Sequence, residues 1–178
     1  MSNPKKPIVI KIMTSGEGGV GKTSYLHSYM KDQYDPKLRL TIGVQFFRKR
    51  YDINGKIYEI VIWDLGGQDQ FRFLLNNFIL GIKGAFFMFD MTNLGSLNRI
   101  DNWLEILYRY KKVPILLIGT KFDLIKTDIE KINSVNRIAI EVKERYGFIN
   151  YFYTSAKEEI NIETSFEYFM DFLMEKID

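Results

Sequence analysis

Apolar stretches of strand length alternate along the chain with longer segments whose apolar positions recur at helical spacing. "PIVIKIM" (7–13) is a nearly continuous apolar run that stops just before a glycine cluster, as a strand buried on both faces does. "KTSYLHSYMKD" (22–32) predicts a helix. "FFRKRYDI" (46–53) and "KIYEIVIWDL" (56–65) flank Asn54-Gly55, a strong hairpin signal, so these two strands should run antiparallel. "GAFFMFDM" (84–91), "VPILLIGT" (113–120) and "INYFYTS" (149–155) read as further strands. Between them, Leu97, Ile100, Trp103, Leu104, Leu107 and Tyr110 mark a helix behind Ser96 as its N-cap. Ile132, Val135, Ile138, Ala139, Val142 and Tyr146 mark another, closed by Gly147. Ile162, Phe166, Phe169, Met170 and Leu173 line a last one.

Six strands and about five helices (one short, near 70–80) with a single hairpin connection predict an open α/β sheet. It should be mostly parallel with one antiparallel edge strand, and ligands should bind beyond the strands' carboxyl ends. No repeat or linker divides the 178 residues, so one domain is expected over 1–178, with 1–6 as a short N-terminal extension.

Composition narrows the chemistry. A net charge of +3 is too small for a nucleic-acid-binding stripe. There is no cysteine, which excludes disulfides, thiolate catalysis, cysteine–zinc sites and cysteine lipidation. Ser2 stands where myristoylation needs glycine, no apolar run reaches membrane-spanning length, and the start lacks a secretory leader. A soluble cytoplasmic monomer without an intrinsic lipid anchor is therefore expected, reaching membranes through partners or the weak basic stretch 48–50. His27, the single histidine, cannot form a metal cluster alone. Arg48, Lys49 and Arg50 fit an edge strand protected from pairing; the alternative is contact with a partner or a membrane surface.

The glycine cluster carries the most specific chemistry. Gly16-Glu17-Gly18-Gly19-Val20-Gly21-Lys22-Thr23 matches G-x-x-x-x-G-K-[ST], a loop whose backbone N–H groups converge on polyphosphate oxygens where side chains would obstruct them. Lys22 adds a point charge, Thr23 offers a hydroxyl to Mg²⁺, and the helix starting there contributes its positive end. Chance would produce the pattern in roughly 1% of chains this long, fewer still between a strand and a helix.

The base is read elsewhere. "GTKFD" (119–123) and "TSAK" (154–157) end successive strands. Asp123 can accept two hydrogen bonds at once, from guanine N1–H and the 2-amino group, and adenine has neither donor. A site built on that pair rejects the wrong base by ~10⁴ or more, because the carboxylate is left unpaired.

With these motifs in order, the sequence resembles small GTPases of the Ras superfamily, closest in texture to the Rab-like branch, from Ile8 to the final helix. "GEGGVGKT" (16–23), "TIG" (41–43), "WDLGGQ" (63–68), "TKFD" (120–123) and "TSAK" (154–157) match the five family motifs. The resemblance implies a P-loop G-domain fold binding GTP or GDP. It places nucleotide contacts at Gly16, Glu17, Gly18, Gly19, Val20, Gly21, Lys22, Thr23 and Ser24, at Tyr34 (the aromatic covering the guanine) and at Thr41 and Gly67. Around the base it places Thr120, Lys121, Asp123, Leu124, Ser155, Ala156 and Lys157, with the Ala156 N–H reading guanine O6. Mg²⁺ would be held by Thr23, Thr41 and, through water, Asp64. Phe46, Trp63 and Phe78 match a Rab-like triad, although plain core packing explains three aromatics equally well.

Two departures stand out: Asp-Leu-Gly-Gly-Gln, resembling Arf and the septation and mitotic-exit GTPases, and Thr120 in place of the commoner asparagine. The sequence also stops without the tail and prenylation cysteine common in the family.

A molecular switch that hydrolyses GTP slowly is the expectation. The catalytic set would be Gln68, Thr41, Gly67 and Lys22. Effectors, exchange factors and activating proteins would meet residues 38–50 (switch I) and 65–78 (switch II). Gln68 would orient a water, or else merely cap a turn. A GTP-bound module without hydrolysis is the alternative. A P-loop ATPase or nucleotide kinase is disfavoured by Asp123.

Overall fold

Strand β1 (Ile8–Ser15) has apolar side chains on both faces because it lies inside the sheet, and the computed structural model places it between β3 and β4. The structure describes residues 6–31, 43–53, 55–66 and 79–176. The other strands are β2 (Val44–Ile53), β3 (Lys56–Leu65), β4 (Gly84–Asp90), β5 (Ile115–Thr120) and β6 (Asn150–Tyr153). Their order is β2-β3-β1-β4-β5-β6. Among the described strands only β2 pairs antiparallel, with Ile53 opposite Lys56 closing the hairpin and Phe46 opposite Trp63. Four α-helices are described: α1 (Lys22–Tyr29), α2 (Ile100–Leu107), α3 (Ile129–Tyr146) and α4 (Ile162–Glu175). The short helix expected near 70–80 falls largely outside the described residues, as does Asn54.

Parallel strands covered on both sides need two cores, and successive side chains of β4 alternate between them. Phe87 and Phe89 join Trp103, Leu107 and Val135 on one face. Phe86 and Met88 join Tyr25, Leu26, Phe166 and Phe169 on the other. All seven residues of β4 are buried, so the strand has no polar face to read in sequence.

Ser96 does not cap the helix that follows. Its hydroxyl accepts from the Asp90 N–H at 2.9 Å and donates to the Asn93 carbonyl at 2.7 Å. Asn93 caps instead a separate 3₁₀ turn, Leu94–Leu97, and α2 starts only at Ile100. The apolar periodicity is continuous across that break because turn and helix cover the same core. Tyr110, assigned to the same helix, lies beyond its end and is exposed. α3 begins earlier than its apolar positions suggest, since the Asp128 side chain accepts from the Lys131 N–H at 3.0 Å. Its end is as expected: Gly147 takes φ 67°, the left-handed cap that glycine adopts without a Cβ penalty.

The basic stretch on β2 does lie on an edge strand. Arg50 pairs with Glu59 at 3.1 Å, and Lys49 sits 4.0 Å over the Tyr29 ring. Both charges are engaged across the hairpin or against α1. That occupation accounts for these two residues without a ligand.

Candidate nucleotide site

The glycine loop leaves β1 at the carboxyl end of the sheet and enters α1. Gly16 has φ 127°, and a Cβ there would fall 2.1 Å from the Met88 carbonyl oxygen, so no other residue fits. α1 begins after Gly21 with no side-chain cap and no acidic residue in its first turn. Its leading N–H groups and the positive end of its dipole therefore face whatever the loop encloses.

Lys22, almost fully buried, folds back over the loop and donates to the carbonyls of Gly16 (2.9 Å) and Glu17 (2.8 Å). Burial lowers its pKa to about 8, partly opposed by the charges of Asp64 and Glu17. Asp64, at the end of β3, has no exposed surface, and burial raises its carboxyl pKa. Hydrogen bonds and the Lys22 charge pull the other way. The Thr23 hydroxyl donates to Asp64 Oδ2 in a short contact, so two expected Mg²⁺ ligands from different elements meet. A carboxylate beside a hydroxyl is the kind of hard oxygen donor that Mg²⁺ prefers. Among the described residues no cluster of three His, Cys, Asp or Glu side chains competes as a metal site.

Thr14 was missed. Its fully buried hydroxyl donates to Asp64 Oδ1 at 2.7 Å, fixing the carboxylate from below while Thr23 meets the other oxygen. The clue was a hydroxyl inside an apolar strand, which must find a partner when buried. Thr14→Val is expected to destabilise the nucleotide-free protein by about 1–3 kcal/mol, with Thr14→Ser close to the parent. Equilibrium urea denaturation reads this; a valine variant as stable as the parent would remove the role.

Most of the positions expected to read the base gather around one cavity of about 240 Å³. Its lining is Gly21, Ser24, Tyr25, Thr120, Lys121, Asp123, Leu124, Thr154, Ala156 and Lys157. The phosphate loop and both base motifs thus share a wall. Ser155 is fully buried and donates to Asp123 Oδ1 at 2.7 Å, orienting the carboxylate. Lys121 holds φ 61°, uncommon for a residue with a Cβ, and its ammonium pairs with Asp90 at 2.7 Å. Asp90, itself anchored by Thr92, is a second residue that sequence reasoning missed. The Thr120 hydroxyl donates to the carbonyls of Val20 and Phe89 (the latter at 2.9 Å), tying the phosphate loop to β4 and β5. The Glu17 carboxylate accepts from the Trp103 indole at 3.2 Å. Gly18, Gly19 and Val20 complete the loop, with Val20 buried against the α1 core. Tyr34, Thr41, Gly67, Gln68 and Phe78 lie outside the described residues. Phe46 and Trp63 meet edge to face at 4.9 Å.

A family model for the Ras family matches residues 11–175. The chain belongs to the Ras family. It is 37% identical to "Ras-related protein Rab-27B" of Rattus norvegicus over 96% of this chain and 82% of that protein. It is 34% identical to "Ypt/Rab-type GTPase YPT7" of Saccharomyces cerevisiae over 94% of this chain and 82% of that protein. Against "Ras-related protein Rab-3A" of Homo sapiens the identity is 32% over 95% and 76%. As a Rab-like member of the Ras family, the protein is a small GTP-binding switch and a GTP hydrolase. Guanine-nucleotide binding and contacts with regulators and effectors come with that membership. Among the described residues no helix is long and apolar enough to cross a membrane.

Proposed function

We propose that the cavity between the glycine loop and the two base motifs is where GTP and GDP bind, with each residue in the role its position allows. The observation that carries this is the shared wall: Gly21 and Ser24 line the same cavity as Lys121, Asp123 and Ala156. Backbone N–H groups of Gly18 to Lys22 would meet the phosphates, and the Lys22 ammonium would exchange its two carbonyl partners for phosphate oxygens. Asp123, held by Ser155, would accept from guanine N1–H and the 2-amino group. Lys121, held by Asp90, would lie along the base and ribose.

Thr23 and Thr41 would hold Mg²⁺, with Asp64 holding it through water. When bound, the ion would supply positive charge to offset the negative charge of the phosphates. Gly67 would give its N–H to the γ-phosphate, and Gln68 would orient a water in line with the bond to the β-phosphate oxygen. Attack forms the new P–O bond as the old one breaks, leaving GDP and inorganic phosphate. Glutamine is a poor base, so its part is positioning, and an arginine from an activating partner would add ~10³–10⁵ in rate. Loss of the γ-phosphate would release Thr41 and the Gly67–Gln68 segment, changing the surface that residues 38–50 and 65–78 offer to effectors. On this reading the protein works as a cytoplasmic monomer and meets membranes through its partners.

Gln68→Leu tests the hydrolytic part. Leucine has similar volume without hydrogen bonding, so GTP binding should stay near normal. Single-turnover hydrolysis should fall at least ~10-fold, about 1.4 kcal/mol of barrier. Hydrolysis at the parent rate, with and without an activating protein, would remove Gln68 from the mechanism.

A further inference from the structure

A second cavity, about 510 Å³, opens at the opposite end of the sheet, beside the amino ends of β4 and β5. The seven residues of β4 put it roughly 20 Å from the nucleotide site. Its floor is apolar and includes Ile82, Leu107, Val113 and Leu173, each at least nine-tenths buried. Its lip carries Leu80 and Tyr110, which are 66% and 58% exposed. Four lysines surround it (Lys83, Lys111, Lys112 and Lys176), and no acidic residue lines it. Among the described residues none of the four makes an ion pair. Lys112 and Lys176 lie instead 5.9 Å and 4.4 Å from the rings of Tyr108 and Phe172.

Charge and shape together limit the occupant. Four ammonium groups around one opening, without an ion-pair partner among the described residues, set up a local positive field out of proportion to a chain of net charge +3. An anionic partner would be drawn to it and a cationic one repelled. The apolar floor is recessed behind the lysines, so a flat anionic surface would meet the rim and leave the floor unfilled. A chain segment can place an apolar side chain in the recess and carboxylates on the rim, as peptide grooves do.

We propose that this groove docks an acidic peptide segment of a partner protein, inserting one or two large apolar side chains between Lys83, Lys112 and Lys176. It would leave the nucleotide face open, so such a partner could be held in either nucleotide state.

The test is selection of a phage-displayed random peptide library on the GDP-loaded protein, followed by binding of the enriched peptides measured by fluorescence anisotropy. Enriched sequences should combine several Asp or Glu with Leu, Ile, Phe or Trp. Their affinity should fall at least ~10-fold in a Lys83→Glu, Lys112→Glu variant and should weaken as salt is raised. Both lysines are exposed, so the melting temperature and GDP release rate of that variant should match the parent. Three results would overturn the proposal: no enrichment, enriched peptides lacking acidic residues, or equal binding to the charge-reversed variant. Sedimentation with phosphatidylserine vesicles, lost in the same variant and without peptide binding, would assign the surface to a membrane instead.

Discussion

Asp123→Ala is expected to weaken GDP and GTP binding about 10²–10⁴-fold while leaving the weak binding of ATP nearly unchanged. Two hydrogen bonds to a carboxylate are lost, each worth about 1.5–3 kcal/mol. Adenine offers neither donor, so its affinity has nothing to lose. Asp123 lies in the wall of the 240 Å³ cavity and accepts from Ser155, which fixes one oxygen while leaving lone pairs free. Competition against a fluorescent GDP analogue measures both arms. An alanine variant that still prefers guanine by the parent margin would move base recognition elsewhere.

Lys22→Ala should cost GTP and GDP at least about a hundredfold in affinity, since a buried ammonium meeting phosphate makes the strongest class of hydrogen bond. A pH dependence accompanies it. Burial holds the Lys22 pKa at about 8 against an ordinary 10.5. Between those values the unfolded chain binds a proton that the folded, nucleotide-free protein does not. Its stability should therefore gain a contribution from Lys22 as pH rises through that window, and lack it below. Bound phosphate favours the charged lysine, so the contribution should vanish in the GDP-loaded protein and in the alanine variant. Denaturation midpoints between pH 7.5 and 10 (~0.5-unit steps) would show it. Equal slopes in all three would mean that the lysine is not held as described.

Much of the fold was legible because its signals are local. The alternation of apolar runs and helical periodicity gave six strands in the right places, and Asn54-Gly55 gave the single antiparallel pair. What failed was the N-cap at Ser96. Ser96 has the composition of an N-cap, but its hydroxyl bridges Asp90 and Asn93, and the choice between those uses depends on where β4 ends in space. For the site, G-x-x-x-x-G-K-T and T-K-x-D carry their chemistry in spacing, so their residues could be named from the sequence. Thr14 and Asp90 could not, because their partners Asp64 and Lys121 lie 50 and 31 positions away. Only the sheet order brings them together. The groove ringed by lysines was invisible for the same reason: its four charges come from three separate stretches of chain.

This site is expected to select guanine nucleotide polyphosphates. Calorimetric titration of the nucleotide-free protein with GDP and with ADP, both with Mg²⁺, tests it most directly. The predicted result is one GDP site at least ~10⁴-fold tighter than any ADP site. Comparable affinities for the two, or binding of neither, would contradict it.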